Sequence, residues 1–387
     1  LLPRTPGTTV EAAHDPITVL IGDFDNKTGD PVFDGVVEQA LSLGIEGASF
    51  VNALPRRDAL RAAVAIKPGA TKLDEATARL VALGENVGIV IVGSIEPKGS
   101  GYHISIKGVG PGNDGEVKYT IEDDADNKGA VLQTVGTMAG QVRKALGDTA
   151  APAPSDAFTA ATLEAASAYA QAQQLQAAGR REEAIAKYEA AIALDKDFGR
   201  AYSGLGAQYE ALGRREDAEK AYQEALARLD RMTDRERLRT RGMYYMFAHK
   251  SDQAAKELTD LIKAYPYDTT GLANLALASF YLRNFPQALE IGQKVSTLQP
   301  SNVGRRQNLA LYSMYAGQFE TAIKESDETI KLNPSAFKAM VARALSELAL
   351  GRPQDAIKTY QALSPISADG ASFAAAGLAD VAAYEGR

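Results

Sequence analysis

The stretch GRAYSGLGAQYEALGRREDAEKAYQEA, residues 199–225, determines how the second part of this chain folds. Apolar residues recur there at helical spacing on both sides of Gly213: Tyr202, Leu205, Gly206, Tyr209, Ala218, Tyr222 and Ala225. A glycine between two such runs marks a turn. The stretch therefore predicts two antiparallel helices, in which small residues allow close approach and tyrosines fill the space between helices.

The same frame recurs along residues 157–387. Alanines at the equivalent position of the second helix are 34, 36, 34, 34 and 34 residues apart: Ala184, Ala218, Ala254, Ala288, Ala322 and Ala356. A fixed period of this length indicates stacked helical hairpins that bury each other's faces. We expect six repeats and the first helix of a seventh, beginning near Ser372, with the array continuing beyond this chain.

These spacings resemble the tetratricopeptide repeat at nearly every diagnostic position. The resemblance implies a superhelix whose first helices line a concave groove for a peptide or protein partner. The repeat frame places nine residues near that groove: Arg239, Met243, Met246, Asn274, Phe280, Tyr281, Gln307, Asn308 and Met314. Methionines and aromatic residues suit an adaptable apolar groove, but several of these side chains could instead pack between repeats.

Residues 17–148 have a different pattern, in which short β-branched runs alternate with amphipathic stretches. Strands are expected at Ile17–Ile21, Phe50–Ala53, Ile89–Val92, Tyr102–Ile106 and Val117–Ile121, and helices at Val32–Leu43, Arg56–Ala65, Leu73–Leu83 and Lys128–Ala145. The fold class is therefore α/β or α+β, followed by an all-α solenoid. An Ala/Pro linker at 149–156 separates the two, and residues 1–16 are expected to be a juxtamembrane or flexible tail.

The amino-acid composition disfavours several classes of function. The 387 residues include no cysteine and three histidines, which disfavours thiol chemistry and cysteine- or histidine-ligated metals. The net charge of −7 gives no general attraction for nucleic acid. Residues 1–150 hold 14 basic and 20 acidic side chains and the remainder 28 and 29, so the acidity belongs to the first domain. We expect no cofactor, no metal and no catalytic site.

Two loops have features of ligand-binding motifs. The acidic run from Asp23 to Asp30 has Lys27 and Thr28 where a calcium loop needs an oxygen ligand and glycine, which favours a polar connection after a strand. The glycine-rich stretch Gly108–Gly112 follows an alternating strand and precedes no Lys-Ser/Thr pair or helix, which favours a hairpin turn over a phosphate loop.

The densest basic run spans residues 228–241. Its arginines could recruit phosphate or an acidic peptide: Arg228, Arg231, Arg235, Arg237, Arg239 and Arg241. Asp230, Asp234 and Glu236 are interleaved with them, so a solvated, self-neutralised helix face is the preferred interpretation.

The order of the domains adds a second resemblance. The segments ITVLIGDFDNKTGDPVF (17–33) and VIVGSI (90–95) resemble the TolB-N-like domain that precedes tetratricopeptide repeats in some bacterial signalling proteins. With DRMTDRERL (230–238), the chain resembles the non-catalytic C-terminal half of acidobacterial-type serine/threonine protein kinases. That resemblance implies a cytoplasmic kinase, one membrane helix and an extracytoplasmic location for this region, with the cytoplasm as the alternative.

Three functions follow from these patterns. The first is a non-enzymatic sensory and protein-interaction region of a membrane-anchored signalling protein. The second is a free-standing periplasmic assembly scaffold. The third is an enzyme that uses the acidic residues of the first domain, Asp23–Asp30 with Asp123, Asp124 and Asp126. The ligand, the partner and the oligomeric state are not specified by the sequence.

Overall fold

The computed structural model describes residues 15–112, 114–149 and 160–386. The predicted tail therefore lies almost entirely outside the described residues, as does the predicted linker apart from Thr149. Among these described residues, the α/β domain contains six strands and four α-helices: β1 Ile17–Ile21, β2 Asp25–Asn26, α1 Val36–Ile45, β3 Val51–Ala53, α2 Arg56–Ile66, α3 Glu75–Gly84, β4 Ile89–Lys98, β5 Gly101–Val109, β6 Val117–Ala125 and α4 Val131–Ala145.

The sheet has the order β3-β1-β4-β5-β6, with β2 paired to β4. β3, β1 and β4 are parallel, whereas β4, β5 and β6 form an antiparallel meander. The predicted β4, β5 and β6 are each too short. β4 and β6 extend into charged, exposed residues, whereas β5 extends through Lys107 into the buried Gly108 and Val109. The glycine-rich stretch at 108–112 lies at the connection from β5 to β6, as the turn interpretation predicts.

Alternate residues of the sheet face two helical layers. Val19 and Ile91 pack toward α1 and α4, while Leu20 and Val90 pack toward α2 and α3. All four are essentially inaccessible to water. The domain is thus a three-layer α/β/α unit, and α1 and α2 remain free to contact the helical region.

Thirteen consecutive helices follow within the described residues: α5 Leu163–Ala177, α6 Arg181–Leu194, α7 Gly199–Ala211, α8 Arg215–Leu226, α9 Asp234–Phe247, α10 Ser251–Ala264, α11 Thr269–Tyr281, α12 Phe285–Leu298, α13 Val303–Tyr315, α14 Phe319–Leu332, α15 Phe337–Ala349, α16 Pro353–Leu363 and α17 Ala368–Tyr384. They form six antiparallel pairs and a final helix, which begins four residues before the expected Ser372. No helix in the described ranges is both long and apolar enough to cross a membrane.

The repeat alanines explain the close packing of the pairs. All six are completely buried: Ala184, Ala218, Ala254, Ala288, Ala322 and Ala356. Gly206 fits the same scheme, because a Cβ there would lie 3.1 Å from the ring of Tyr222. Gly213 adopts the left-handed φ of 72° that the turn requires. The predicted fold class, an α/β domain followed by a helical solenoid, is confirmed.

The two domains share one continuous core. Apolar residues of the sheet and of α1 and α4 join those of α5 to α8 in a single cluster that extends to Phe247. Residues from Ala254 onward form separate clusters. The α/β domain is therefore packed against the first repeats, and its α1 and α2 face the inner side of the solenoid.

Candidate functional site

A cavity of about 460 Å³ opens on the solenoid between α9 and α11. Four of the residues that the repeat frame placed near the groove line it: Met243, Met246, Asn274 and Tyr281. The two methionines and Asn274 are half-buried, whereas Tyr281 is 59% exposed. The structure thus brings these four predicted residues into one site, which we call the groove cavity.

The rim of the groove cavity is polar. Arg215 lies over the Phe247 ring, 4.9 Å from its centroid, and its Nη1 is 3.3 Å from Nε2 of His249. Glu210 supplies an acidic side chain on the same lining. An apolar floor beside charged groups and one amide can hold an apolar side chain while bonding the polar backbone of a peptide.

The other groove residues of α11 and α13 do not line this cavity. Phe280 packs in an aromatic cluster, with ring centroids 5.7 Å from Phe285, 5.4 Å from Tyr312 and 5.0 Å from Tyr315. Met314 is buried in a small cluster with Ala310. Packing between repeats therefore accounts for Phe280 and Met314, while Gln307 and Asn308 are half-buried on α13, outside the groove cavity.

Arg239 makes its contacts within the chain. Its Nε donates to Asp268 at 2.6 Å and its Nη1 lies 3.1 Å from Oε2 of Glu46, on α1 of the α/β domain. Burial alone would lower the pKa of Arg239, but the Asp268 and Glu46 carboxylates raise it above its ordinary value. The sequence placed Arg239 where it would contact a partner. In the structure, Glu46 of the chain's own α/β domain makes that contact instead.

Arg235 corrects the interpretation of the basic run as a solvated face. Only 2% of its surface is exposed, and it donates to Asp268 at 2.8 Å, to the Glu46 carbonyl at 2.8 Å and to the Val51 carbonyl at 3.2 Å. Burial would raise the pKa of Asp268, yet the guanidinium groups of Arg239 and Arg235 lower it to about 2. The helix is neutralised by residues outside the run, although Arg237 does pair with Asp234.

A second cavity, of about 400 Å³, lies between the two domains. One wall consists of α1 with the residues around the start of α2, and the other of α5 and the residues at the starts of α11 and α13. We call it the interdomain cavity. Sequence analysis missed it because its two walls come from segments far apart in the chain.

The comparisons with known proteins address the helical region. The tetratricopeptide repeat family matches residues 169–231 and 308–371. The helical region is a tetratricopeptide repeat (TPR) solenoid. No curated protein matches the sequence.

Several solved structures are similar to parts of the chain. The chain is similar to a structure of the APC/C hetero-tetramer Cut9–Hcn1, with a TM-score of 0.50 and 19% identity over 56% of this chain and 42% of that one. Pseudomonas aeruginosa pilF has a TM-score of 0.43 and 17% identity over 55% of this chain and 96% of its own. PilW, a type IV pilus biogenesis factor, has a TM-score of 0.46 and 17% identity over 54% and 97%. TPR repeats imply a scaffold for protein–protein interaction.

The acidic residues of the α/β domain make separate contacts in different places. The four residues that line the groove cavity of the TPR solenoid, by contrast, lie together. Asp23 pairs with Arg56 at 2.5 Å and accepts from the Leu73 amide, whereas Asp124 pairs with Lys98 and His103. Within the described parts of the chain, no group of three acidic or histidine side chains is placed to hold a metal ion. Asp23 and Asp124, two of the carboxylates that the enzyme hypothesis names, thus each have structural partners.

Proposed function

We propose that this chain is the non-enzymatic sensory and protein-interaction region of a membrane-anchored bacterial signalling protein, and that its TPR groove binds a peptide or protein partner. The observation that carries the proposal is the groove cavity. There Met243, Met246 and Tyr281 form an apolar surface on the first helices of two adjacent repeats, and Asn274 lies among them.

The shape and chemistry of the groove cavity favour an extended or helical segment with one large apolar side chain. Methionine side chains adjust to different shapes, so the site tolerates several apolar anchors. The amide of Asn274 can donate to and accept from a peptide backbone. Arg215 and Glu210 at the rim add charge selectivity to the apolar anchor.

The docked α/β domain supports the sensory part of the proposal. It is held on the inner side of the solenoid by Arg235 and Arg239, through Glu46 and Asp268. A ligand or partner that binds the docked arrangement more tightly than an undocked one would shift the balance between them. In this way, the binding of a ligand or partner would change the state of an attached effector.

The signalling context rests on the resemblance of residues 17–33 and 90–95 to TolB-N-like domains and of the whole chain to the non-catalytic half of bacterial serine/threonine kinases. That resemblance implies a location outside the cytoplasmic membrane and a preceding membrane helix as the anchor. A free-standing periplasmic scaffold is the alternative. The coding sequence of the native polypeptide separates the two, since a kinase and a membrane helix upstream support the receptor, and a signal peptide alone supports the scaffold.

A displayed library of random peptides, selected on the purified chain, tests the groove. We expect an enriched set with a shared large apolar residue that binds the wild type and fails to bind a Met246→Glu variant. Enriched peptides that bind this variant equally well would place recognition elsewhere and overturn the proposal.

A further inference from the structure

Polar side chains make up the larger part of the lining of the interdomain cavity, together with apolar residues such as Ile21 and Leu54. Its α/β wall includes Glu38, Glu46 and Asp58, and its solenoid wall includes Gln299 and Arg305. Further amides and hydroxyls complete the surface: Gln39, Ser42, Asn52, Gln173, Gln174, Gln176, Thr269 and Thr270. Its volume of about 400 Å³ falls in the range of small-molecule sites. The polar groups of this lining are compatible with a polar ligand.

Two polar atoms in the lining have neither a hydrogen-bond partner nor an ion-pair partner within the described residues. Gln299 is 4% exposed, and its Oε1 is buried without a partner. Oε1 of Glu38 accepts from the Phe24 amide at 2.8 Å, but its Oε2 is buried without one. Buried polar atoms in folded proteins are nearly always bonded, so two such atoms in the lining of one cavity indicate that a bound molecule supplies their partners.

The cations of the lining differ in their pairing. Arg56 pairs with Asp23, Arg57 lies near Asp58 and Arg239 pairs with Glu46. The guanidinium of Arg305 has no ion-pair partner within 4 Å among the residues that the structure describes. Burial lowers the pKa of Arg305 more than the nearby Asp58 carboxylate raises it. An anion placed beside Arg305 would therefore gain a charge-assisted hydrogen bond that no protein group now makes.

We propose that the interdomain cavity binds a small monocarboxylic acid that also carries hydroxyl or amino groups, with its carboxylate on Arg305 and its hydroxyl or amino groups on Gln299 and Glu38. The three carboxyl groups of the α/β wall disfavour a dianion such as phosphate. They favour a ligand with a single negative charge and several donors, such as an amino acid or a sugar acid.

The two domains contribute opposite ends of this site. Glu38 lies on α1, whereas Gln299 and Arg305 lie at the end of α12 and in the first turn of α13. A bound acid therefore bridges the domains and stabilises the docked arrangement. The inference deepens the sensory part of the proposed function and rests on it for its biological meaning, but the site itself does not depend on the groove cavity.

Isothermal titration of the full chain tests the site with named probes. These are D-galacturonate, D-gluconate and the standard amino acids, compared with neutral D-galactose and inorganic phosphate. We expect saturable binding of at least one carboxylate and none of galactose or phosphate. Arg305→Gln and Gln299→Met should each weaken binding at least about tenfold.

Arg283→Gln is the matched control, because Arg283 is exposed, lies outside the cavity and undergoes the same loss of charge. It should bind the probe like the wild type, and circular dichroism should show all variants folded. Binding of no probe, equal binding of phosphate or galactose, or unchanged affinity in folded Arg305→Gln would each overturn the proposal. If Met246→Glu loses peptide binding but still binds the acid, the peptide binds at the groove cavity and the acid binds at a separate site.

Discussion

Arg235 and Asp268 form a completely buried ion pair, 2.8 Å apart, between adjacent repeats, and the same guanidinium donates to the Glu46 and Val51 carbonyls of the first domain. The Asp268 carboxylate also caps α11 by accepting from the Gly271 amide at 2.7 Å. One acidic group thus joins two repeats and, through its arginines, a second domain.

Replacement of Asp268 by asparagine should lower the free energy of unfolding by about 3–5 kcal/mol, because the buried guanidinium of Arg235 and the partly buried one of Arg239 would lose their common counter-charge. Denaturant titration followed by circular dichroism measures the loss. Glu328→Gln, which removes an exposed partner of Lys331, is the control and should leave stability unchanged. Equal stabilities for both variants would contradict the role given to Asp268.

Glu38 should make the stability depend on pH near neutrality. Burial raises its pKa to about 7, the Asp23 carboxylate adds to the shift, and the Phe24 amide and Arg56 oppose it. The folded chain therefore holds a proton that the unfolded chain releases above about pH 4.5. The stabilisation is complete below that pH and is lost as the pH rises through about 7.

The expected loss between these pH values is up to about 3 kcal/mol in the free energy of unfolding. Urea titrations at a series of pH values measure it. In Glu38→Gln the dependence should flatten over this interval, because the amide does not titrate. A variant that keeps the wild-type slope would show that another group is responsible.

The turn at Arg283 offers a gain in stability. Arg283 has a left-handed φ of 60°, whereas the equivalent turns at Gly213 and Gly317 use glycine. Arg283→Gly should raise the free energy of unfolding by about 0.5–1 kcal/mol by relieving the backbone. The converse variant Gly317→Ala should lower it by about 1 kcal/mol, since nothing lies within 4 Å of a Cβ there and only backbone strain is added. Thermal unfolding of both would reveal the opposite signs, and a lower midpoint for Arg283→Gly would refute this explanation.

Tyr281 should matter for partner binding and little for folding, because 59% of it is exposed at the groove cavity. Tyr281→Ala is expected to weaken the binding of a selected peptide by about 1–2 kcal/mol in titration. Tyr384→Ala is the control, with the same exposure on the last helix. If the Tyr281 variant binds like the control, the peptide lies elsewhere.

Much of the fold could be predicted because it is encoded in periodicity. The alanine spacing marked the contact positions of six helix pairs, and the β-branched runs marked the inner strands of the sheet. Four of the predicted groove residues lie together at one cavity, since the repeat frame assigns each position to a face.

The interdomain contacts could not be predicted from local pattern. Arg235 lies among Asp234 and Glu236, so neutralisation by neighbours was the simplest expectation, but its partner Asp268 is about one repeat away. Arg235 and Asp268 are separated by nearly one repeat, and their ion pair could have been predicted from that spacing. Nothing in the sequence marked Glu46, 189 residues from Arg235, because such a contact depends on how two domains dock.

The continuous core between the sheet and the first repeats also divides the chain into mechanical parts. The α/β domain and α5 to α8 share one apolar cluster that ends at Phe247, while the repeats beyond it contain their own. Solenoid repeats are stabilised mainly by their neighbours, so the C-terminal ones can fray one after another. The α/β domain and α5 to α8 instead open as one unit, and only when the sheet separates from the repeats. Amide protons throughout this unit would therefore exchange together.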